Sequence, residues 1–253
     1  MLLGDATTGE VIFSKYADVD TPIASTTKLM TYFIIMRMIE MGKIHLDDIV
    51  AISPEAARLS VSDDSVVYMY SGAETTVEEL IDAMMVASSN ESALALAVYA
   101  AGSQEEFVKM MNAMAFRLGL ESAVFYNPHG LPEFFEGDMT TMVENRMSAA
   151  DMFRLASAIV RKYPEVEKVA TQKTIWLEYL WAELYATNTL LNNVPDLIGL
   201  KTGTTDAAGK CLVSARRVNR DGSEHILVSV VLGAEFNSDR VEMSQLLLMS
   251  QGY

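Results

Sequence analysis

Strand-forming sequence occupies the two ends of this chain and helix-forming sequence its middle, which restricts the fold more than any other feature. At the amino end, residues 1–16 alternate around the turn-rich Asp5-Ala6-Thr7-Thr8-Gly9, with Val11, Phe13 and Tyr16 beyond it, and read as a two-stranded hairpin. At the carboxyl end, residues 197–200, 211–214 and 225–232 are three apolar, β-branched runs, the last two flanking the hairpin signal Asp221-Gly222. The expected architecture is α+β, with one antiparallel sheet built from both termini, flanked by helices and interrupted by a mostly helical insert. The α/β part is expected over about 1–60 and 190–253, and the helical part over about 61–189, of a single domain 1–253.

Helix boundaries carry local signals. After Pro22, Leu29, Phe33, Met36 and Glu40 recur at turn spacing, with Gly42 as the stop. Thr76-Val77-Glu78-Glu79 and Ser103-Gln104-Glu105-Glu106 match capping boxes, and the second of these helices ends near Gly119. Residues 148–151 open another helix that must stop by Pro164, and a final helix covers about 238–251. Asn127-Pro128-His129-Gly130 is a turn by composition. The acidic pairs Asp47-Asp48 and Asp63-Asp64, and the run Glu133, Glu136, Asp138 and Glu144, read as solvated loops. His129 is expected as a hydrogen bonder within its turn and Cys211 as a buried strand residue.

Composition excludes several kinds of protein. The 253 residues hold 19 Lys plus Arg against 34 Asp plus Glu, a net charge of −15. Phosphate backbones and anionic lipid heads repel such a chain, so no nucleic-acid partner is expected. The lone cysteine rules out an internal disulfide framework and a multi-cysteine metal site. Three histidines, far apart and without H-x-x-x-H spacing, argue against zinc. No apolar run reaches the roughly 18 residues that cross a bilayer. The seventeen methionines read as adaptable core filler on helices.

Three short patterns could carry chemistry. Ser25-Thr26-Thr27-Lys28 places a hydroxyl and an amine three residues apart just inside the first helix, on one face, where the amine can take the proton of the alcohol. Taken alone, the pair fits an N-cap serine and an exposed helix lysine equally well. Ser88-Ser89-Asn90 lies between two helical runs and by itself is an ordinary cap; functionally, Ser88 could relay a proton and Asn90 hold a substrate carbonyl. Lys201-Thr202-Gly203-Thr204-Thr205 follows an apolar strand run. Gly203 permits close backbone approach of a ligand to the strand edge, while Lys201 and the threonine hydroxyls suit a carboxylate. An edge-strand lysine that discourages aggregation is the plainer alternative for Lys201, though it leaves the threonines unexplained.

S-x-x-K, S-x-N and K-T-G in this order are the signature of penicillin-binding proteins and serine β-lactamases. The chain resembles the serine-type D-alanyl-D-alanine carboxypeptidases of low molecular mass. The similarity extends through Pro22 to Lys28, Asn127-Pro128-His129-Gly130-Leu131, Gly199 to Gly209 and Val231-Leu232-Gly233-Ala234. It departs from the family at Met147 and Ala150, where a small polar residue and an arginine are usual. The resemblance implies the β-lactamase/DD-peptidase fold and no cofactor or metal. It implies a peptidoglycan stem peptide ending in D-Ala-D-Ala as substrate, and β-lactams as covalent inhibitors. Ser25 would be the nucleophile and Lys28 its base, with Ser88 relaying a proton and Asn90 orienting Lys28 and the substrate amide. The backbone N–H groups of Ser25 and Thr204 would form the oxyanion hole. Lys201, Thr202, Gly203 and Thr204 would line the carboxylate subsite, and Arg240 falls where the family carries a carboxylate-binding arginine. The family's export signal, C-terminal β-domain and membrane anchor are not in this sequence, so the expectation is the catalytic domain of an extracytoplasmic protein, bound to membrane only through segments outside this chain. Two alternatives accompany this assignment. A class A β-lactamase would need a glutamate-activated water, and Glu144 before Asn145 lacks the setting for one. A sensor domain would be acylated without releasing D-Ala.

Overall fold

A computed structural model describes residues 1–61, 66–135, 138–220 and 222–250. The expected hairpin forms from β1 (Leu2–Asp5) and β2 (Val11–Ser14). The three carboxyl-terminal runs become β3 (Leu197–Thr205), β4 (Gly209–Arg220) and β5 (Ser223–Ala234). They join in one antiparallel sheet of order β3-β4-β5-β1-β2, so the two termini meet where β1 pairs β5, Leu2 opposite Val230. That leaves β3 at one edge, open along the side away from β4. Asp63-Asp64, Glu136 and Asp221 lie outside the described residues.

Eight helices are described: α1 (Lys28–Glu40), α2 (Pro54–Leu59), α3 (Val77–Val86), α4 (Asn90–Ala101), α5 (Gln104–Leu118), α6 (Ala149–Lys162), α7 (Val166–Ala170) and α8 (Asn237–Met249). Their starts follow local rules. The Ser103 and Ser148 side chains each accept a hydrogen bond from the backbone N–H three residues on, both at 3.2 Å, and α5 closes on Gly119 in the left-handed region. Thr76 caps α3 in the same way, but Glu79 does not complete the box. Its carboxylate binds Thr75 Oγ1 and the backbone N–H groups of Glu178 and Tyr179, tying α3 to a distant loop.

The chain centres on α1, whose first nine residues, Lys28 to Met36, are buried on every face. A helix apolar all round belongs in a core, and α4 is likewise buried from Asn90 to Ala97. One continuous hydrophobic core joins Leu2 of the sheet, Ile34 of α1, Leu96 of α4 and Leu155 of α6. Helix α6, inside the expected helical part, packs on the sheet so closely that a Cβ at Gly4 would come within 2.5 Å of the Phe153 ring. Within the expected helical part, α7 is followed by a two-stranded hairpin, Thr174–Leu177 with Ala182–Tyr185, whose strands pair only with each other.

Candidate active site

Both buried helices begin at one cleft beside the open edge of β3. Ser25 lies on a single 3-10 turn, Ala24–Thr27, and Lys28 is the first residue of α1. The Ser25–Lys28 pair therefore straddles a change of helix type and does not share one α-helical face, as its spacing predicts. The cause is tertiary. Residues 127–130 close against the turn so tightly that a Cβ at Gly130 would sit 2.0 Å from Ala24 O, and Gly130 has φ +91°. Ala24 itself is pushed to φ 47°.

The Lys28 side chain is wholly buried, with Nζ 2.8 Å from Ser25 Oγ, 2.7 Å from Asn90 Oδ1 and 2.7 Å from His129 O. The last two atoms are carbonyl oxygens and can only accept, the Asn90 amide being oriented by this network. A neutral amine has two N–H bonds. In that form both go to these oxygens, and the lone pair of Nζ is left facing Ser25 Oγ to accept its O–H. Burial holds the Lys28 amine well below the usual lysine range, the charge of Lys201 pushes the same way, and Glu91 opposes. The positive end of the α1 dipole acts in the same direction.

Lys201 on β3 is also buried; burial first and then Arg240 bring its amine down to about 7. Its Nζ donates to Thr202 O at 3.2 Å. Gly203 lies against the nucleophile turn, where an added Cβ would be 2.9 Å from Ser25 N and 3.0 Å from Thr26 N. Only a residue without a side chain lets β3 approach the Ser25 backbone amide this closely. Thr202 Oγ1 shares a 2.6 Å hydrogen bond with Thr187 Oγ1, and the Thr187 N–H donates to Val86 O at 3.1 Å. Thr204 is exposed, its hydroxyl donating to Gly203 O.

Arg240, at the start of α8, is almost fully buried. Its Nη1 donates to Gly203 O at 2.9 Å, Cys211 O at 3.1 Å and Thr204 Oγ1 at 3.3 Å. It clamps β3 from behind as well as lending positive charge. Ser88 is half-buried at φ 68° in the turn from α3 to α4, where Ser89 caps α4 by accepting from Ser92 N. Ser25, Lys28 and Asn90 are thus joined directly, and Lys201, Thr202, Gly203, Thr204 and Arg240 form the facing ledge. Among the described residues, no hydrogen bond links Ser88 to Ser25 or Lys28, and no group of three or more metal-ligating side chains occurs.

Three contributors lie outside the three motifs. The first is the main-chain carbonyl of His129, which has no side-chain signature. The second is Asn145, fully buried: its Nδ2 donates to Thr27 Oγ1 and Asn127 O, and its Oδ1 accepts from Tyr126 N and Asn127 N. It locks the 127–130 turn to the nucleophile turn. The third is Glu144, which corrects the expected solvated loop: half-buried, it accepts from Thr205 Oγ1 at 2.7 Å. Glu133 of the same run accepts from His129 Nε2 at 3.2 Å. His129 Nδ1 accepts from Leu131 N, so Nε2 carries the proton, and burial lowers the ring's affinity for a second one. His129 and Cys211 keep the turn and buried-strand places expected of them.

A buried lysine amine aimed at a serine hydroxyl, with a second lysine on a facing edge strand, is the arrangement of the serine–lysine class of acyl-transfer proteins. The sequence profile of D-alanyl-D-alanine carboxypeptidase matches residues 1–236. The chain is 34% identical over 236 residues to the D-alanyl-D-alanine carboxypeptidase DacF of Bacillus subtilis, covering 92% of this chain and 56% of DacF. Among solved structures, a peptidoglycan synthesis regulatory factor (PBP3) from Streptococcus pneumoniae superposes with a TM-score of 0.88 at 30% identity, over 98% of this chain and 71% of that one. Ampicillin-bound penicillin-binding protein D2 from Listeria monocytogenes superposes at 0.82 with 28% identity, over 98% and 93%. This chain belongs to the D-alanyl-D-alanine carboxypeptidase family.

Proposed function

We propose that this domain removes the terminal D-Ala from peptidoglycan stem peptides, outside the cytoplasm, through an acyl-enzyme on Ser25. The observation that carries this reading is the Lys28 amine, stripped of solvent and within 2.8 Å of Ser25 Oγ, Asn90 Oδ1 and His129 O. As Ser25 Oγ attacks the carbonyl between the two D-Ala residues, its proton passes to Lys28. The oxyanion that forms sits between the backbone N–H groups of Ser25 and Thr204, and such stabilisation is commonly the largest single catalytic contribution. Collapse breaks the C–N bond. The departing amine takes a proton by way of Ser88, and D-Ala leaves. A water molecule then attacks the acyl-enzyme, Lys28 again accepting its proton, and Ser25 is restored.

The ledge opposite selects the substrate. Lys201, Thr202 and Thr204 receive the terminal carboxylate, and Arg240 adds charge from behind β3. Asn90 holds Lys28 on one side and the substrate amide on the other. A β-lactam enters the same first step, but its amine stays tethered after ring opening and the adduct persists. No specific observation favours the β-lactamase alternative. Glu144, its only candidate base, is engaged with Thr205. The test is intact-mass analysis with a fluorescent penicillin, alongside D-Ala release from diacetyl-Lys-D-Ala-D-Ala. Wild type is expected to form one adduct at Ser25 and to release D-Ala, and Ser25→Ala to do neither. Labelling without D-Ala release would point to a sensor, and an adduct on another residue would overturn the mechanism.

A further inference from the structure

The chain's two tryptophans stand side by side on the surface. Trp176 and Trp181 belong to the hairpin of residues 174–185, are 57% and 82% exposed, and meet edge to face with ring centroids 6.1 Å apart. Tyr179 and Tyr185 of the same hairpin are exposed too, while Ile175, Leu177 and Leu184 face the core. Alternation of the strands thus presents an aromatic outer face, and contiguous exposed aromatic surface on a folded domain marks a place where something binds.

Two observations identify the occupant. First, the hairpin is continuous with the cleft. Its exit, Thr187, bonds Thr202 and Val86, and its tip is held by Glu79 at the other end of α3. The seven-residue step from Val86 to Glu79 places the tip of the hairpin about 10 Å along α3 from its exit beside the cleft. A stem peptide of four residues reaches up to about 14 Å. Second, the polar groups of the face are acidic. Glu178 and Glu183 are exposed there, and Tyr185 Oη donates to Glu183 at 3.1 Å. Aromatic rings beside carboxylates suit a neutral polyhydroxylated ligand, whose ring faces stack and whose hydroxyls donate. They repel anionic lipid heads, and a second copy carrying −15 fits no better.

We infer that this hairpin is a sugar-binding platform that stacks the N-acetylated glycan chain to which stem peptides are attached. The inference rests on the stem-peptide reading of the cleft. The platform adds affinity for glycan-linked substrate and leaves the chemistry at Ser25 untouched.

The experiment titrates the whole chain with a β-1,4-linked N-acetylglucosamine hexamer and follows tryptophan fluorescence. Saturable change is expected, weakened about tenfold in Trp181→Ala, the size of one lost stacking contact. In parallel, the KM of Trp181→Ala should rise about tenfold on glycan-linked stem peptide, with kcat, the KM for a free acyl-tripeptide and penicillin labelling of Ser25 unchanged. Unchanged fluorescence with hexamer, or equal KM on glycan-linked peptide, would overturn the platform. So would a response to anionic phosphatidylglycerol vesicles in place of sugar, or self-association abolished by the substitution. Loss of Ser25 labelling in the wild type would instead refute the cleft assignment, so the two failures are distinguishable.

Discussion

Replacing Gly203 with alanine tests the contact that brings the two halves of the site together. The added methyl would lie 2.9 Å from Ser25 N, 3.0 Å from Thr26 N and 3.1 Å from Ala24 Cβ. None of these is the end of a flexible side chain that could swing away. Ordinary contact begins near 3.4 Å, so the gap must open by about 0.5 Å. On its other side β3 is held by the Gly203–Cys211 pairing and by Arg240 on Gly203 O, so part of the shift falls on the Ser25 turn. That moves the proposed oxyanion donors apart. Losing one such donor costs ~10²–10³ in rate, or about 2.7–4 kcal/mol, and misplacement of this size belongs at the lower end. Stopped-flow acylation by a fluorescent penicillin should slow about 10²-fold. Overpacking of ~1–3 kcal/mol should meanwhile lower Tm by only several degrees. A folded Gly203→Ala protein acylated at near wild-type rate would refute this view of why glycine stands there.

Asn145→Ala should destabilise the protein by about 3 kcal/mol in urea unfolding, since it strands the buried backbone amides of Tyr126 and Asn127; a loss under about 1 kcal/mol would mean water replaces the amide. The pH profile of kcat/KM should rise as Lys28, depressed far below its ordinary range, loses its proton, and fall as Lys201 loses its charge near pH 7. An activity still climbing above pH 9 would contradict those assignments. Glu144→Gln should leave the lifetime of the penicillin adduct within about threefold of wild type, measured by intact mass over time. A lifetime extended by orders of magnitude would make Glu144 a deacylation base.

What was legible in the sequence follows from locality. Caps such as Ser103 and Ser148 act within four residues, so their helices begin where pattern places them. The strand runs at both ends carry their own pairing signals, and the sheet joins them as expected. The motifs carrying Ser25, Lys28 and Asn90 name the side chains that meet. Features made by contacts across the chain were hidden. The helix type at Ser25 is set by Gly130 pressing on Ala24, about a hundred residues distant in sequence. The third Lys28 partner is a backbone carbonyl, which any residue at position 129 could supply. Glu144 sits in a run of acids that resembles a surface loop, and only the fold reveals that Thr205 comes to meet it. The hairpin of 174–185 does alternate in pattern, but its strands are short and pair only with each other.

The most direct test follows the ionisation of a single amine: the Nζ resonances of Lys28 by NMR in the free enzyme across a pH titration, assigned with Lys28→Arg. The expected result is an amine that loses its proton well below the ordinary 10.5. An amine that stays protonated to within about one unit of 10.5 would leave Ser25 without its base and contradict the mechanism.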